Sequence, residues 1–187
     1  MAHRKIVITG APGTGKTSII KALEETGHRV FHEIIREMTD QAQKEISGAE
    51  FPSNPLVFVE NAEAFNLQLL QGRTQQFIQA SALAAPLNFF DRGIPDVLAY
   101  MDHFGQAYDQ HFEGSARNHR YDRVFITPPW AEIYVTDQQR LESFEEAMAL
   151  HHALMGAYTR FGYLPLEVPK DSIGNRMAFI LDTLNTP

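Results

Sequence analysis

A three-layer α/β fold around a five-stranded parallel sheet is predicted by two observations. Short runs of β-branched and aromatic residues alternate five times with stretches of helical periodicity. The first run, Ile6-Val7-Ile8-Thr9, also enters a glycine-rich turn at once, and a helix opens directly behind that turn at about Lys16. Right-handed crossovers between successive strands make such a sheet parallel and place helices on both of its faces. A chain of 187 residues with 44% hydrophobic content suits one such core. No linker, internal repeat or low-complexity tract divides it, so residues 1–187 read as a single domain.

The turn is the most informative stretch. Gly10, Gly15, Lys16 and Thr17 satisfy G-x-x-x-x-G-K-[ST], the phosphate-binding P-loop pattern. Its backbone N–H groups converge on a phosphate, and the following helix adds its positive end. Gly10, Gly13 and Gly15 permit conformations that a Cβ would block. Gly10, Ala11, Pro12, Gly13, Thr14, Gly15, Lys16, Thr17 and Ser18 are therefore the expected nucleotide-binding residues. Lys16 is placed to reach the β- and γ-phosphates, and the Thr17 hydroxyl to hold Mg²⁺.

The remaining elements follow in order. Ile19, Ile20 and Leu23 form the buried stripe of the first helix, which Gly27 ends. Residues 29–33 read as a second strand, residues 34–45 as a helix, and the stretch from Ser47 to Pro55 as a loop. Phe58, Ala62, Phe65 and Leu69 then share one helical face. This starts a helical insert at about 54–85, which Gly72 is placed to kink and Pro86 stops. The insert is expected to cover a substrate or, equally, to pack on the sheet. Leu87 to Phe90 form the third strand, which ends at Asp91, and the next helix, Ile94 to His103, turns Val97, Leu98 and Met101 inward. Residues 105–120 are polar and read as a mobile excursion with little regular core. Arg123 to Thr127 make the fourth strand, followed by a loop over 130–139. Asp137 is the expected cap of a helix reaching Phe161, with Leu141, Phe144, Met148, His151, Met155 and Tyr158 as its apolar stripe. Residues 163–168 form a fifth strand, at an edge that suits Pro165. Ser172 or Asp171 caps the last helix, which buries Met177, Ile180, Leu181 and Leu184.

A P-loop protein needs an acid for its metal, usually at the carboxyl end of a nearby strand. Asp91 stands at such an end and is expected to hold Mg²⁺ with Thr17, while Arg92 is placed to neutralise phosphate or clamp a substrate. The alternative is that Asp91 caps the helix starting near Ile94, with Arg92 as a surface partner. Glu33 ends the second strand and is placed to accept a proton from an attacking hydroxyl, with Arg36 one helical turn behind it as a second substrate contact. A plain Glu33–Arg36 ion pair is the alternative. Arg140 is placed to swing onto the transferring phosphate; an exposed arginine at a helix start is the alternative. Arg176 reads as a surface residue, and neither it nor Lys170 receives a role.

Composition excludes several classes. A net charge of −7 argues against general nucleic-acid binding. The absence of cysteine removes disulfide frameworks and thiolate zinc sites. No stretch approaches the roughly 20 apolar residues of a membrane span, and no cleavable leader is visible, so a cytoplasmic protein with no membrane partner is expected. The histidines lack a metal-ligand spacing, and neither a G-x-S-x-G elbow nor an N-K-x-D guanine motif occurs.

Several segments together carry a family likeness: GAPGTGKT at 10–17, EIIRE at 33–37, FFDRGIPDVLAY at 89–100, YDRVF at 121–125 and TDQQRLESFEEA at 136–147. GYLPLEVPK at 162–170 and NRMAFIL at 175–181 complete it. The chain resembles small stand-alone P-loop ATPases labelled as AAA-type domains. It is also similar to the ribosylnicotinamide kinase half of bacterial NAD-regulator proteins. This resemblance implies a nucleoside- or nucleotide-kinase-like strand order 2-3-1-4-5, with ATP and Mg²⁺ bound through Lys16 and Thr17. It implies a contact between Glu33 and the phosphate-accepting hydroxyl, and a lid carrying Arg140.

The leading expectation is an ATP-dependent kinase that transfers the γ-phosphate to a hydroxyl of an unidentified, nucleoside-like small molecule. In it Lys16, Glu33, Asp91 and Arg140 are catalytic, and Glu33, Arg36 and Arg92 touch the acceptor. The alternative is a regulatory ATPase switch that acts on a protein partner. The sequence leaves the oligomeric state open, with a homodimer as one option.

Overall fold

A computed structural model describes residues 3–35, 62–133 and 143–186. Its sheet runs in the order β2-β3-β1-β4-β5, with every neighbouring pair parallel. The strands are β1 (Arg4–Gly10), β2 (Arg29–Phe31), β3 (Leu87–Asp91), β4 (Arg123–Thr127) and β5 (Leu166–Glu167). The helices are α1 (Lys16–Glu25), α2 (Ala62–Ala82), α3 (Ile94–His103), α4 (Gln110–Asn118), α5 (Phe144–Arg160) and α6 (Ile173–Asn185). In the central ladder Ile8 pairs with Asp91 and Gly10 with Thr127, which brings the carboxyl ends of β3 and β4 beside the start of the P-loop.

Alternation along the central strands builds two cores. Val7, Phe90 and Val124 face one side, where they meet Phe65 and Leu69 of α2, Val97, Leu98 and Met101 of α3, and Tyr158 of α5. Ile6, Ile8, Phe89 and Phe125 face the other side, against Ile19, Ile20 and Leu23 of α1 and Ile180 and Leu184 of α6. Each such fully buried side chain contributes about 1.5–3 kcal/mol. The apolar stretches Ile6–Ile8, Phe89–Phe90 and Val124–Ile126 do not alternate with polar residues because both of their faces are covered. No helix among the described residues is long and apolar enough to cross a membrane.

Six details differ from expectation. Residues 110–118 form a helix, α4, in place of an irregular excursion; Asp109 caps it, and Phe112 and Ala116 are buried in the first core. The α5 helix begins later than expected, with Ser143 as its cap in a reciprocal capping box with Glu146. Its buried face is Ala147, Leu150, His151, Leu154, Ala157 and Tyr158, so Met148 is exposed. Strand β2 stops at Phe31, short of Glu33, and β5 spans only two residues. Finally, α2 runs through Gly72 without interruption. A β-carbon at Gly72 would lie 2.6 Å from Ile34 Cδ1, so this glycine serves close packing. Residues 36–61, with Arg36 and Phe58, and residues 134–142, with Asp137, Arg140 and Leu141, lie outside the described residues.

Candidate nucleotide and phosphoryl-transfer site

The P-loop takes the conformation its glycines allow. Gly10, Gly13 and Gly15 all have positive φ, and Gly15 stands immediately before α1 at φ 82°. Side chains brace the loop from within: the Thr14 hydroxyl donates to the Ala11 carbonyl at 2.8 Å and lies 2.6 Å from the Thr127 hydroxyl. Thr127 Oγ1 in turn donates to the Thr9 carbonyl. The sequence pattern says nothing of Thr127, which the β1–β4 register brings opposite Gly10.

Lys16 Nζ donates to the Ala11 carbonyl at 2.8 Å and is buried. Burial, helped by the nearby Arg92 charge, lowers its pKa to about 7, against the opposing pull of Asp91, Glu33 and Asp96. A buried ammonium held this way is a receptor for anionic charge. Asp91 ends β3, is buried, and is close enough to act on Lys16 electrostatically. Thr17 follows Lys16 in the first turn of α1. One hydroxyl, one carboxylate and a loop shaped for phosphate make a donor set that suits Mg²⁺ on a bound triphosphate. Among the described residues no group of three or more His, Cys, Asp or Glu forms a separate metal cluster.

Beside the loop lies a second, charged arrangement. Glu33 Oε2 accepts from Arg92 Nε at 2.8 Å, and Oε1 accepts from Arg73 Nη2 at 3.3 Å. Arg92 Nη1 also donates to the Gly10 carbonyl at 3.3 Å, so a single guanidinium spans the distance from Glu33 to the P-loop. Arg73, from the middle of α2, also donates to the Gly93 carbonyl. Burial alone would raise the Glu33 pKa, but the charges of Arg92 and Arg73 outweigh it and hold the carboxyl below its usual range. Both oxygens keep lone pairs for a further donor.

Arg92 is the one non-glycine residue with positive φ among those described, at 73°. A left-handed residue of this kind costs roughly 1–3 kcal/mol and persists where its surroundings hold it. Here the holding groups are Glu33, the Gly10 carbonyl and Asp96, which lies 3.5 Å from Nη1. Asp96 is itself fully buried and accepts from the Thr9 hydroxyl, the Tyr158 hydroxyl and the Gly93 N–H. The Asp91-Arg92-Gly93 turn is thus fixed from β1, α2, α3 and α5.

The structure brings together Gly10 to Ser18, Glu33, Asp91 and Arg92. Ser18 is exposed in the first turn of α1. Glu33 stands two residues beyond its strand, and its partners are Arg92 and Arg73. Arg73, Asp96 and Tyr158 were not expected at the site, and Arg176 is buried against the P-loop, not on the surface. A signal for two of these existed. Leu69, Arg73, Gln76 and Ala80 continue one helical face, as do Arg176, Ile180 and Leu184. A charge in the middle of a buried face must have a partner.

The fold recurs in solved structures. A deoxyadenosine kinase from M. mycoides, bound to dCMP and dCDP, superposes with a TM-score of 0.65 at 18% identity, covering 98% of this chain and all of that one. A thymidylate kinase from Ehrlichia chaffeensis gives 0.63 at 15% identity, covering 98% of this chain and all of that one. A NadR protein in complex with NR gives 0.73 at 18% identity; 98% of this chain aligns to 51% of that longer one. The fold is therefore that of P-loop nucleoside and nucleotide kinases. No curated protein sequence matches the chain. The sequence profile of the AAA domain family matches residues 5–176, and the chain belongs to that family.

Proposed function

We propose that the protein is an ATP-dependent kinase that transfers the γ-phosphate to a hydroxyl of a nucleoside-like small molecule. The observation that carries this reading is Glu33: a nearly buried, ionised carboxylate one guanidinium away from the P-loop. A carboxylate held there can orient the hydroxyl of an acceptor and take up its proton, as a kinase requires. The likeness to deoxyadenosine kinase, thymidylate kinase and NadR structures supports the same reading.

In this reaction the acceptor hydroxyl donates a hydrogen bond to Glu33 and attacks the γ-phosphorus of ATP. A new P–O bond forms as the bond to the β–γ bridging oxygen breaks, and ADP leaves. The hydroxyl proton passes to Glu33 and then to solvent. Lys16 and the backbone N–H groups of residues 13–18 offset the charge on the transferring group. Thr17 and Asp91 are the residues that would hold Mg²⁺, whose charge offsets that of the β- and γ-phosphates. Arg92 keeps Glu33 ionised and aimed. Arg36 and Arg140 belong to the same proposal as an acceptor contact and a lid cation, α2 with the segment before it as the cover, and the cytoplasm as the compartment.

A phosphotransfer screen of purified protein with MgATP against nucleosides, nucleoside monophosphates and ribosylated vitamin precursors tests the reading. Acceptor-dependent release of ADP with a phosphorylated product is expected. ATP hydrolysis that no acceptor changes would favour the switch.

A further inference from the structure

Among the described residues, Arg176 is a buried cation to which the transfer reaction gives no part. Arg176, in the first turns of α6, is 3% exposed. Its Nη2 donates to the Thr14 carbonyl at 2.9 Å. Its Nη1 lies over Gly15, where a β-carbon would come within 2.6 Å of it; Ile133 Cδ1 lies 3.6 Å from the same point. Gly15 thus leaves room for this guanidinium.

The arginine is electrostatically unbalanced. Arg73 and Arg92 share Glu33, but no carboxylate among the described residues pairs with Arg176. Its Nε is buried without a hydrogen-bond partner. Desolvation lowers its pKa with no acid acting against it. A buried guanidinium with spare N–H donors is costly unless an anion completes it. The group beside it is a loop built to hold one.

We propose that Arg176 is a second phosphate-binding cation of the P-loop. It meets the polyphosphate of a bound nucleotide at the Thr14–Gly15 end of the loop, whereas Lys16 and Arg92 serve the Gly10–Ala11 end. The inference rests on nucleotide binding at the P-loop and is independent of any acceptor. It also explains why Arg176 continues the buried face of Ile180 and Leu184: the helix delivers the charge to the loop from the core side.

The test is MgATP and MgADP titration of the full chain carrying Arg176→Gln, at low (about 50 mM) and high (about 500 mM) salt. Glutamine keeps an N–H for Thr14 and loses the charge. The expected result is about tenfold weaker binding of both nucleotides at low salt, shrinking markedly at high salt. Arg176→Lys, which keeps the charge, should retain the salt dependence and recover part of the affinity, and it carries the test if the glutamine variant does not fold. Unchanged affinity would overturn the proposal. So would an equal loss at both salt concentrations, which marks a purely structural role. If the unaltered protein binds neither nucleotide, the P-loop assignment itself fails.

Discussion

In the proposed site Gly10 to Ser18 form the phosphate end from consecutive residues, whereas the end around Glu33 is assembled from residues 33, 73, 92, 96 and 158. The first is backbone geometry, set by glycine φ values within one turn. The second is electrostatics, set by three helices and the edge of the sheet. Damage to the first should therefore appear in nucleotide binding, and damage to the second in transfer to the acceptor.

Lys16→Ala should have the largest effect. It removes the cation proposed to meet the β- and γ-phosphates, and turnover should fall by about a thousandfold or more in a coupled ADP assay. Thermal unfolding of the empty variant should be little changed, because the buried ammonium is held at a disadvantage. An effect confined to the acceptor's KM would erase the division between the two ends.

Glu33→Gln comes next. Transfer should drop by about a hundredfold or more while the Kd for ATP stays within about threefold. The same change leaves Arg73 and Arg92 without their carboxylate, so a loss of about 3 kcal/mol in denaturant stability should accompany it. Loss of ATP affinity in step with turnover would move Glu33 to the phosphate end.

The pH dependence of binding separates the two ends without mutation. The Lys16 pKa is lowered to about 7, and an anionic phosphate stabilises the protonated form. Nucleotide binding above that pH then takes up a proton, and affinity should fall by about tenfold per unit as pH rises. Titration calorimetry in buffers of different ionisation enthalpy reads the uptake directly. The sign for stability is opposite. The unfolded lysine binds a proton over the range from about 7 to 10.5 that the empty folded protein does not, so the empty protein gains stability as pH rises through it. Glu33 gives a dependence of the same sign in a more acidic range. Its folded pKa lies below the ordinary carboxylate value, so its contribution is present above that value and is lost on acidification.

Tyr158→Phe should be the smallest effect. It deletes one donor to the buried Asp96 and should cost about 1–3 kcal/mol in denaturant unfolding. Any change in transfer should exceed any change in ATP binding, because Asp96 reaches the site through Arg92 and Gly93.

What the sequence discloses follows the same division. The P-loop, the three central strands and Asp91 are local patterns: apolar runs covered on both faces, a turn of fixed spacing, an acid at a strand end. Helix α4 escapes because it buries only Phe112 and Ala116, too few residues to set a period against a polar background. The α5 stripe is misphased because Met148 looks apolar and Ala147 looks neutral, yet Ala147 is buried and Met148 exposed. Arg73 and Arg176 escape because charge suggests surface, although their spacing places both on buried faces. The partners of Glu33 are set by tertiary packing across 40 residues to Arg73 and 59 to Arg92.

The brevity of β2 and β5 has a consequence for the molecule in a crowded solution. These are the two outermost strands, with three and two residues, while the long apolar strands sit between them. An approaching chain finds few ladder positions at either margin on which to extend the sheet. The sheet that carries the P-loop and Asp91 is thereby guarded against aggregation at its margins, where self-association would begin.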